Sequence, residues 1–504
     1  MKPSLCISFR FIQPYPLFHG RGDGNKPEWP PSPLRAFQAL LNAACLRTRG
    51  KPLPAEVRSV LQVMEVLRPT VIAPRATLST IGHRAYVPHN QADLVTAAWD
   101  RGSPDASIAS HRVEKDHRPH HIETIGDELP TIHYVYPLDA TNVDPAELLQ
   151  AIRPAVRSIH CLGWGIDQVI ADATLVESTS HGVTDERWAP TPRGGKRLRV
   201  HRNGSLDALT ARHGQFLSRL VSGDWTPVPP LTAMDHVRYR RDSDPIPRPN
   251  VIFELRHDDG SFCRYSQRKL MHIAGMVRHL AKEAMLQSSP PDVAKDWVER
   301  YVAGHRNKDA QDHRQFSYLP LPSIGHEHTD PAVRRVMIAA PVGDDAWLEY
   351  LARRLMGKQL KPEKGNQFGD QGPPALVRVR PDKVARRYTA EANRWASVTP
   401  IILPGHDDRK PAKTRKLIEK ALAESGIDQP CEFDWSAFSR FRKSFSAHKY
   451  DKEKRHQGFI RPDHLLTQTA IHLTLRFTHD LKVPGPIAIG AGRHCGFGLM
   501  AALP

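Results

Sequence analysis

The sequence predicts an α+β protein built from tandem ferredoxin-like domains with long insertions, and three observations predict it. Strand-like segments that lead into amphipathic helices begin twice, at residue 4 and again at residue 251. The first beginning is answered across residues 131–176 by a second strand–helix–strand run, which completes a β-α-β-β-α-β order. The chain also has 504 residues, more than one core holds, since single cores stop growing near ~250–300 residues.

Taken in order, residues 4–12 (SLCISFRFI) alternate β-rich side chains and read as a strand. A loop rich in Gly and Pro runs from Pro14 to Pro33. A helix over about Leu34 to Leu46 then places Leu34, Phe37, Leu40 and Leu41 on one face. Residues 131–137 read as a strand, residues 145–160 as an amphipathic helix interrupted by Pro154, and residues 166–176 as the returning strand. Residues 225–250 carry six prolines, few apolar side chains and mixed charge, which is linker composition. The predicted domains are therefore 1–245 and 246–504. After the linker, residues 251–256 form a strand, 266–286 a long amphipathic helix, and 316–321 and 333–341 strands around a tight loop. Residues 413–424 read as a helix, 470–478 as a strand, and 485–500 as a glycine-rich end.

Composition narrows the function. No apolar run approaches the ~18 residues a membrane span needs, and Arg10 with Pro3, Pro14 and Pro16 interrupts any signal-peptide core, so a cytoplasmic protein is expected. Lys and Arg outnumber Asp and Glu by 71 to 54, and the resulting +17 attracts polyanions, nucleic acid first among them. The six cysteines never approach Cys-x-x-Cys spacing, which excludes a cysteine zinc ribbon and fits reduced thiols.

Three features carry chemistry. The segment GPIAIGAGRHCGFGLM (485–500) sets Arg493 and His494 among Gly490, Gly492, Gly496 and Gly498. Glycines let backbone amides approach phosphates, and the arginine adds a cation. The alternative is a plain turn. In residues 301–331, His305 follows an Ala-Gly turn, and His326 and His328 flank Glu327 after a strand. In extended chain, positions two apart point the same way. The pair reads either as acid–base imidazoles or, with Asp330, as a metal motif like that of metallo-β-lactamase-like hydrolases. That motif is incomplete, because Pro331 stands where a further ligand belongs. Surface histidines are the third possibility in a chain with 27 of them. Finally, residues 193–202 concentrate Lys196, Arg197 and Arg199, and residues 440–456 interleave Phe441, Phe445 and Tyr450 with cations. Such mixtures grip phosphates while rings stack on unpaired bases; solvated basic loops are the plainer reading.

The segments EWPPSPLRAFQALLNA (28–43), CLGWG (161–165), YLPLPSIGHEHTD (318–330), VTPIILPGHDD (398–408) and the glycine-rich end recur in an order that resembles the fused Cas-five/Cas-six proteins of type I-U (I-G) CRISPR systems. Thr329 and Pro331 depart from that pattern. The resemblance implies RRM-like folds of the RAMP superfamily. It implies an N-terminal half that holds the 5′ handle of a CRISPR RNA, and a C-terminal half that cuts the repeat hairpin. The implied chemistry uses no metal or cofactor: a 2′-hydroxyl attacks the adjacent phosphate and leaves a 2′,3′-cyclic phosphate and a 5′-hydroxyl. His305, His326 and His328 are the candidate acid and base, with Tyr265 and His272 as alternatives. Gly490, Gly492, Arg493, His494, Gly496, Gly498, Lys196, Arg197 and Arg199 are the candidate RNA contacts. The implied partners are CRISPR RNA, the backbone and large subunits of a type I effector complex and, through that complex, target DNA. A non-catalytic RNA scaffold is the rival, and a metal-dependent hydrolase on His326, His328 and Asp330 the more distant one.

Overall fold

The computed structural model describes residues 3–89, 92–103, 107, 112–124, 126–139, 141–177, 185–220, 226–294, 296–305, 314–327, 329–362, 368, 372–448, 458–478 and 481–503. The chain divides into two compact units, Met1–Asp244 and Pro245–Pro504.

In the first unit, strand β1 (Ser4–Phe11) buries Leu5, Ile7, Phe9 and Phe11, as its alternation requires. Helix α1 (Pro33–Arg47) starts with proline at its first position and buries Leu34, Phe37, Leu40 and Leu41. Helix α2 (Ala55–Val66) and strand β2 (Thr70–Ala73) follow. Strand β3 (Thr131–Tyr136), helix α3 (Pro145–Val156) and strand β4 (Val169–Val176) complete the module. The sheet runs β4–β1–β3–β2, antiparallel throughout, with Leu5 opposite both Tyr136 and Leu175. With strands counted in sequence order this is 4-1-3-2, the ferredoxin-like arrangement. Helix α3 runs on through Pro154 to Val156, contrary to the interruption expected. Pro154 sits in the last turn, where it withholds one amide from the i−4 carbonyl, and the helix ends two residues later.

The proline-rich stretch 225–250 is only partly a linker. Its prolines cluster at both ends, and between them Met234–Arg241 forms a strand, β7. It pairs with β6 (Lys196–His201) and β5 (Glu186–Pro190), and β5 joins β2, so the sheet reaches seven strands. Buried Tyr239 anchors β7 and donates to the Pro69 carbonyl at 3.0 Å. The cations on the other side of this strand gave it the look of a linker.

The second unit contains the arrangement twice. Strands β8 (Asn250–Arg256), β9 (Ser317–Pro322), β10 (Ala332–Ala339) and β11 (Ala375–Val379) order as β11–β8–β10–β9, again 4-1-3-2. Helices α4 (Leu270–Gln287) and α5 (Asp345–Leu355) are the crossovers. A further module, unread in the sequence, begins at β12 (Arg394–Ser397). Helix α6 (Pro411–Ala423) leads to β13 (Cys431–Ser436), then β14 (Ala470–Phe477) and the short β15 (Met500–Ala502). Trp395 faces both Leu475 and Ala502, which gives β15–β12–β14–β13, the same order once more. Between the third and fourth strands, where a ferredoxin-like module has its second helix, stands the glycine-rich segment. No helix among the described residues is long and apolar enough to cross a membrane.

Candidate nucleic-acid interface and acid–base site

The glycine-rich segment is held by the fold it completes. Gly490, Gly496 and Gly498 have φ of 91°, 94° and 62°, a region that side chains resist. A Cβ on Gly498 would lie 1.8 Å from the Ile489 carbonyl oxygen, and one on Gly496 would lie 2.7 Å from Leu270 and 2.8 Å from Pro320. Some of the segment's amides are spent inside the fold. Ala491 donates to Ile402, Arg493 to Gly490, Cys495 and Phe497 to Gly492, and Gly498 to Pro400. Gly490, Gly496 and Gly498 therefore serve close backbone packing.

The segment lies along the start of β9. An edge strand tolerates Pro320 and Pro322 because its outer amides need no ladder partner, and the Tyr318 amide donates instead to the His494 carbonyl at 2.9 Å. Arg248 donates to the Ser317 hydroxyl at 2.9 Å. That hydroxyl lies 2.9 Å from His494 Nδ1, so it links the guanidinium of Arg248 to the imidazole. Packing around the guanidinium and the nearby charge of Arg493 push Arg248 down to about 10.

His305 belongs to the same end of β9. The turn Val298–Val302 docks there, with the Phe316 amide on the Tyr301 carbonyl at 3.0 Å and the Tyr318 hydroxyl on Val302 at 2.9 Å. His305 is exposed, and its Nδ1 sits 2.9 Å from Glu299 Oε2, while Lys282 holds the other carboxylate oxygen at 2.6 Å. The bond from Lys282, then that from His305, keeps the Glu299 carboxyl below its usual range. A carboxylate on Nδ1 turns the opposite ring nitrogen toward solvent. His305 also lines a hollow of about 410 Å³, together with Arg278, His279, Lys282 and Lys361. Glu283, which takes Lys361 at 2.7 Å, offsets part of that charge. Glu299, Lys282 and Lys361 escaped sequence reading, because only the fold brings residues 282, 299, 305 and 361 together.

His326 lies beyond the other end of β9. Six residues at ~3.3 Å each make that strand roughly 20 Å long. Gly325 has φ of 77°, and the Thr329 amide closes a turn on the His326 carbonyl at 3.2 Å. His328 lies outside the described residues. Asp330 is occupied by Arg334 at 2.6 Å and Arg264 at 2.6 Å, which hold its carboxyl at about 2. The triplet His326, His328 and Asp330 thus has its carboxylate committed to guanidinium groups. Tyr265 is buried on a short strand facing Val333, and His272 is half-buried on α4.

In the first unit, Lys196 reaches the Trp29 carbonyl at 2.5 Å and Arg199 reaches Glu28 at 2.8 Å. Burial pushes the Glu28 carboxyl up, but Arg35 at 3.2 Å, the Ser32 amide and Arg199 more than offset it, and the group stays below its ordinary value. Lys196 and Arg199 thus brace the fold, and Arg197 alone of the three points into solvent unengaged among the described residues. Of the aromatic residues expected to stack on bases, Phe441 is buried, Phe445 packs on Phe459 at 5.7 Å, and Tyr450 lies outside the described residues.

A family model described as "CRISPR-associated protein, GSU0054 family" matches residues 17–502. The chain belongs to that family. No curated protein matches the sequence. Among solved structures, this GSU0054-family chain is similar to a CRISPR protein from Archaeoglobus fulgidus, with 14% identity over 38% of this chain and 72% of that one and a TM-score of 0.20. A CRISPR-associated protein Cas6 is 12% identical over 51% of this chain and 100% of its own, with a TM-score of 0.27. A Cas6 product complex is 14% identical over 51% and 99%, with a TM-score of 0.25. The fold assignment rests on the strand orders themselves.

Proposed function

We propose that this chain is an endoribonuclease that processes CRISPR repeat RNA by metal-independent acid–base chemistry and keeps its product bound, as a Cas-five/Cas-six fusion of the type I-U kind would. The observation that carries the proposal is the Lys282–Glu299–His305 chain at a cation-lined hollow, in a member of a CRISPR-associated family. An exposed imidazole held by a carboxylate is suited to moving a proton between a ribose hydroxyl and a leaving oxygen, a contribution of ~10²–10⁴-fold. Arg278, Lys282 and Lys361 would meet the charge that grows on the phosphate. The net charge of +17 favours retention of a polyanionic product. His326 and His328 are the alternative acid or base, and Arg493 with His494 the neighbouring RNA contacts.

The test is incubation of the full chain with labelled repeat RNA in excess EDTA, followed by end-group analysis. The expected fragments carry 2′,3′-cyclic phosphate and 5′-hydroxyl ends. His305→Gln lowers the cleavage rate by about 10²–10⁴-fold with binding retained. Glu299→Gln lowers it less and shifts the pH profile, as befits a positioning residue. His326→Gln leaves the rate within a few-fold of the unaltered chain. Fragments that need a divalent cation or end in 5′-phosphate overturn the chemistry, and an undiminished rate for H305Q overturns the choice of residue.

A further inference from the structure

Residues 437–448, which leave β13, form a loop that is clamped on one side and open on the other. On the clamped side, Ser439 donates to the Ser397 carbonyl at 2.8 Å, and Gln267 donates to the Lys443 carbonyl at 2.7 Å. Arg461 holds the Ala447 carbonyl at 2.8 Å, and the Ala447 amide closes the loop onto Ala437 at 2.8 Å. Phe441 is sunk into the core with 9% of its surface exposed.

The open side shows the opposite composition. Phe438 is 66% exposed, yet its backbone is fixed, because the Ser436 hydroxyl accepts from its amide at 3.1 Å and donates to its carbonyl at 2.7 Å. The exposed His448 ring meets it at 5.7 Å and 74°, so the two rings form a corner. Arg440, Arg442 and Lys443 are exposed around that corner, and among the described residues none of them makes an ion pair. Among the described residues, the exposed acids nearest in sequence, Glu432 and Asp434, lie on β13 and not on the loop. An ordinary solvated loop gains nothing from holding a phenyl ring rigidly in water. A ring face with cations beside it is what an unpaired base and its flanking phosphates require, since every base offers a π-face.

We infer that the Phe438–His448 corner stacks one unpaired base of the bound RNA, with Arg440 and Arg442 on the adjoining phosphates. The inference rests on the RNA-processing reading and extends it from the cutting site to the grip on the strand. It also moves the stacking role from Phe441, Phe445 and Tyr450 to a residue just outside the stretch that the sequence marks.

The test is fluorescence anisotropy of the full chain with labelled repeat RNA in EDTA, across RNAs with one abasic position at a time. In the unaltered chain, one unpaired position is expected to weaken binding by about 5- to 100-fold when made abasic. Phe438→Ala should weaken the intact RNA to the same extent and be indifferent to that abasic position, while Phe438→Trp should restore both affinity and sensitivity. Arg440→Ala and Arg442→Ala should each flatten the salt dependence by about one counterion. If the unaltered chain binds RNA but F438A binds as well as it does, or loses equally on every abasic RNA, the corner is not a base platform; a protein-docking role then explains the exposed ring. If the unaltered chain binds no repeat RNA, the functional reading itself falls.

Discussion

At the scale of single residues, the glycine-rich segment separates what a sequence reveals from what it hides. The positions of Gly490, Gly496 and Gly498 were legible because glycine spacing is conspicuous. Their purpose was not, because amide occupancy depends on Ile402 and Pro400, nearly a hundred residues upstream. If packing sets the requirement, Gly498→Ala should cost about 3 kcal/mol or more, since a Cβ 1.8 Å from a carbonyl at φ of 62° adds a clash to an unfavourable conformation. Arg493→Ala should weaken RNA binding and, since its side chain also donates to the Gly490 carbonyl at 3.3 Å, cost less stability than Gly498→Ala. Thermal unfolding of both variants, read beside anisotropy, checks this. The histidines divide in the same way. His305 was marked by a small Ala-Gly turn before it, but the carboxylate that orients it is six residues away on a turn no pattern announces. His326 follows Gly325, whose φ of 77° bends the chain out of the strand before it.

At the scale of elements, most long periodic segments could be read directly, as with β1, α1, β8 and α4, whose apolar positions recur at two or at three and four. Strands are hidden from the sequence where their exposed sides are cationic, as in β7, or where only a few residues pair, as in β12 and β15. Helix α3 shows local signals and packing in agreement. Asp144 accepts from the Ala146 amide at 2.7 Å and Pro145 takes the first helical position. Asp144→Ala should therefore lower stability by about 1 kcal/mol, measured as a shift of the denaturant midpoint with unchanged slope. A change in slope would mean that the helix docks on its sheet by something other than this cap.

At the scale of the whole molecule, the first unit carries a pH dependence of its own. His117, His120 and His201 are all buried there, and desolvation, followed by the nearby charges of Arg21, Lys196 and Arg68 respectively, brings each down to about 4. Unfolded, they would take up protons near pH 6.5, so between about 6.5 and 4 the unfolded chain binds more protons than the folded one. Stability must then fall as pH falls through that window, by up to about 3 kcal/mol for each group, and level off below it. Calorimetry of the full chain from pH 7.5 to 4 should show one transition moving down steeply, and His201→Phe, which keeps the stack on Phe37 at 4.7 Å, should make it shallower. A pH-independent transition would show that these imidazoles are charged inside the fold.

The register that joins Trp395 to both Leu475 and Ala502 has a kinetic consequence. The partners of that one strand are separated from it by roughly eighty and a hundred residues, so the entropy of loop closure is spent before either contact forms. Such a sheet assembles late, and the glycine-rich segment that follows β14 takes shape only once both closures are made. The glycine-rich segment, with Arg493 and His494, should therefore mature last on the folding pathway. Regain of cleavage after dilution from denaturant should lag behind the recovery of backbone ellipticity.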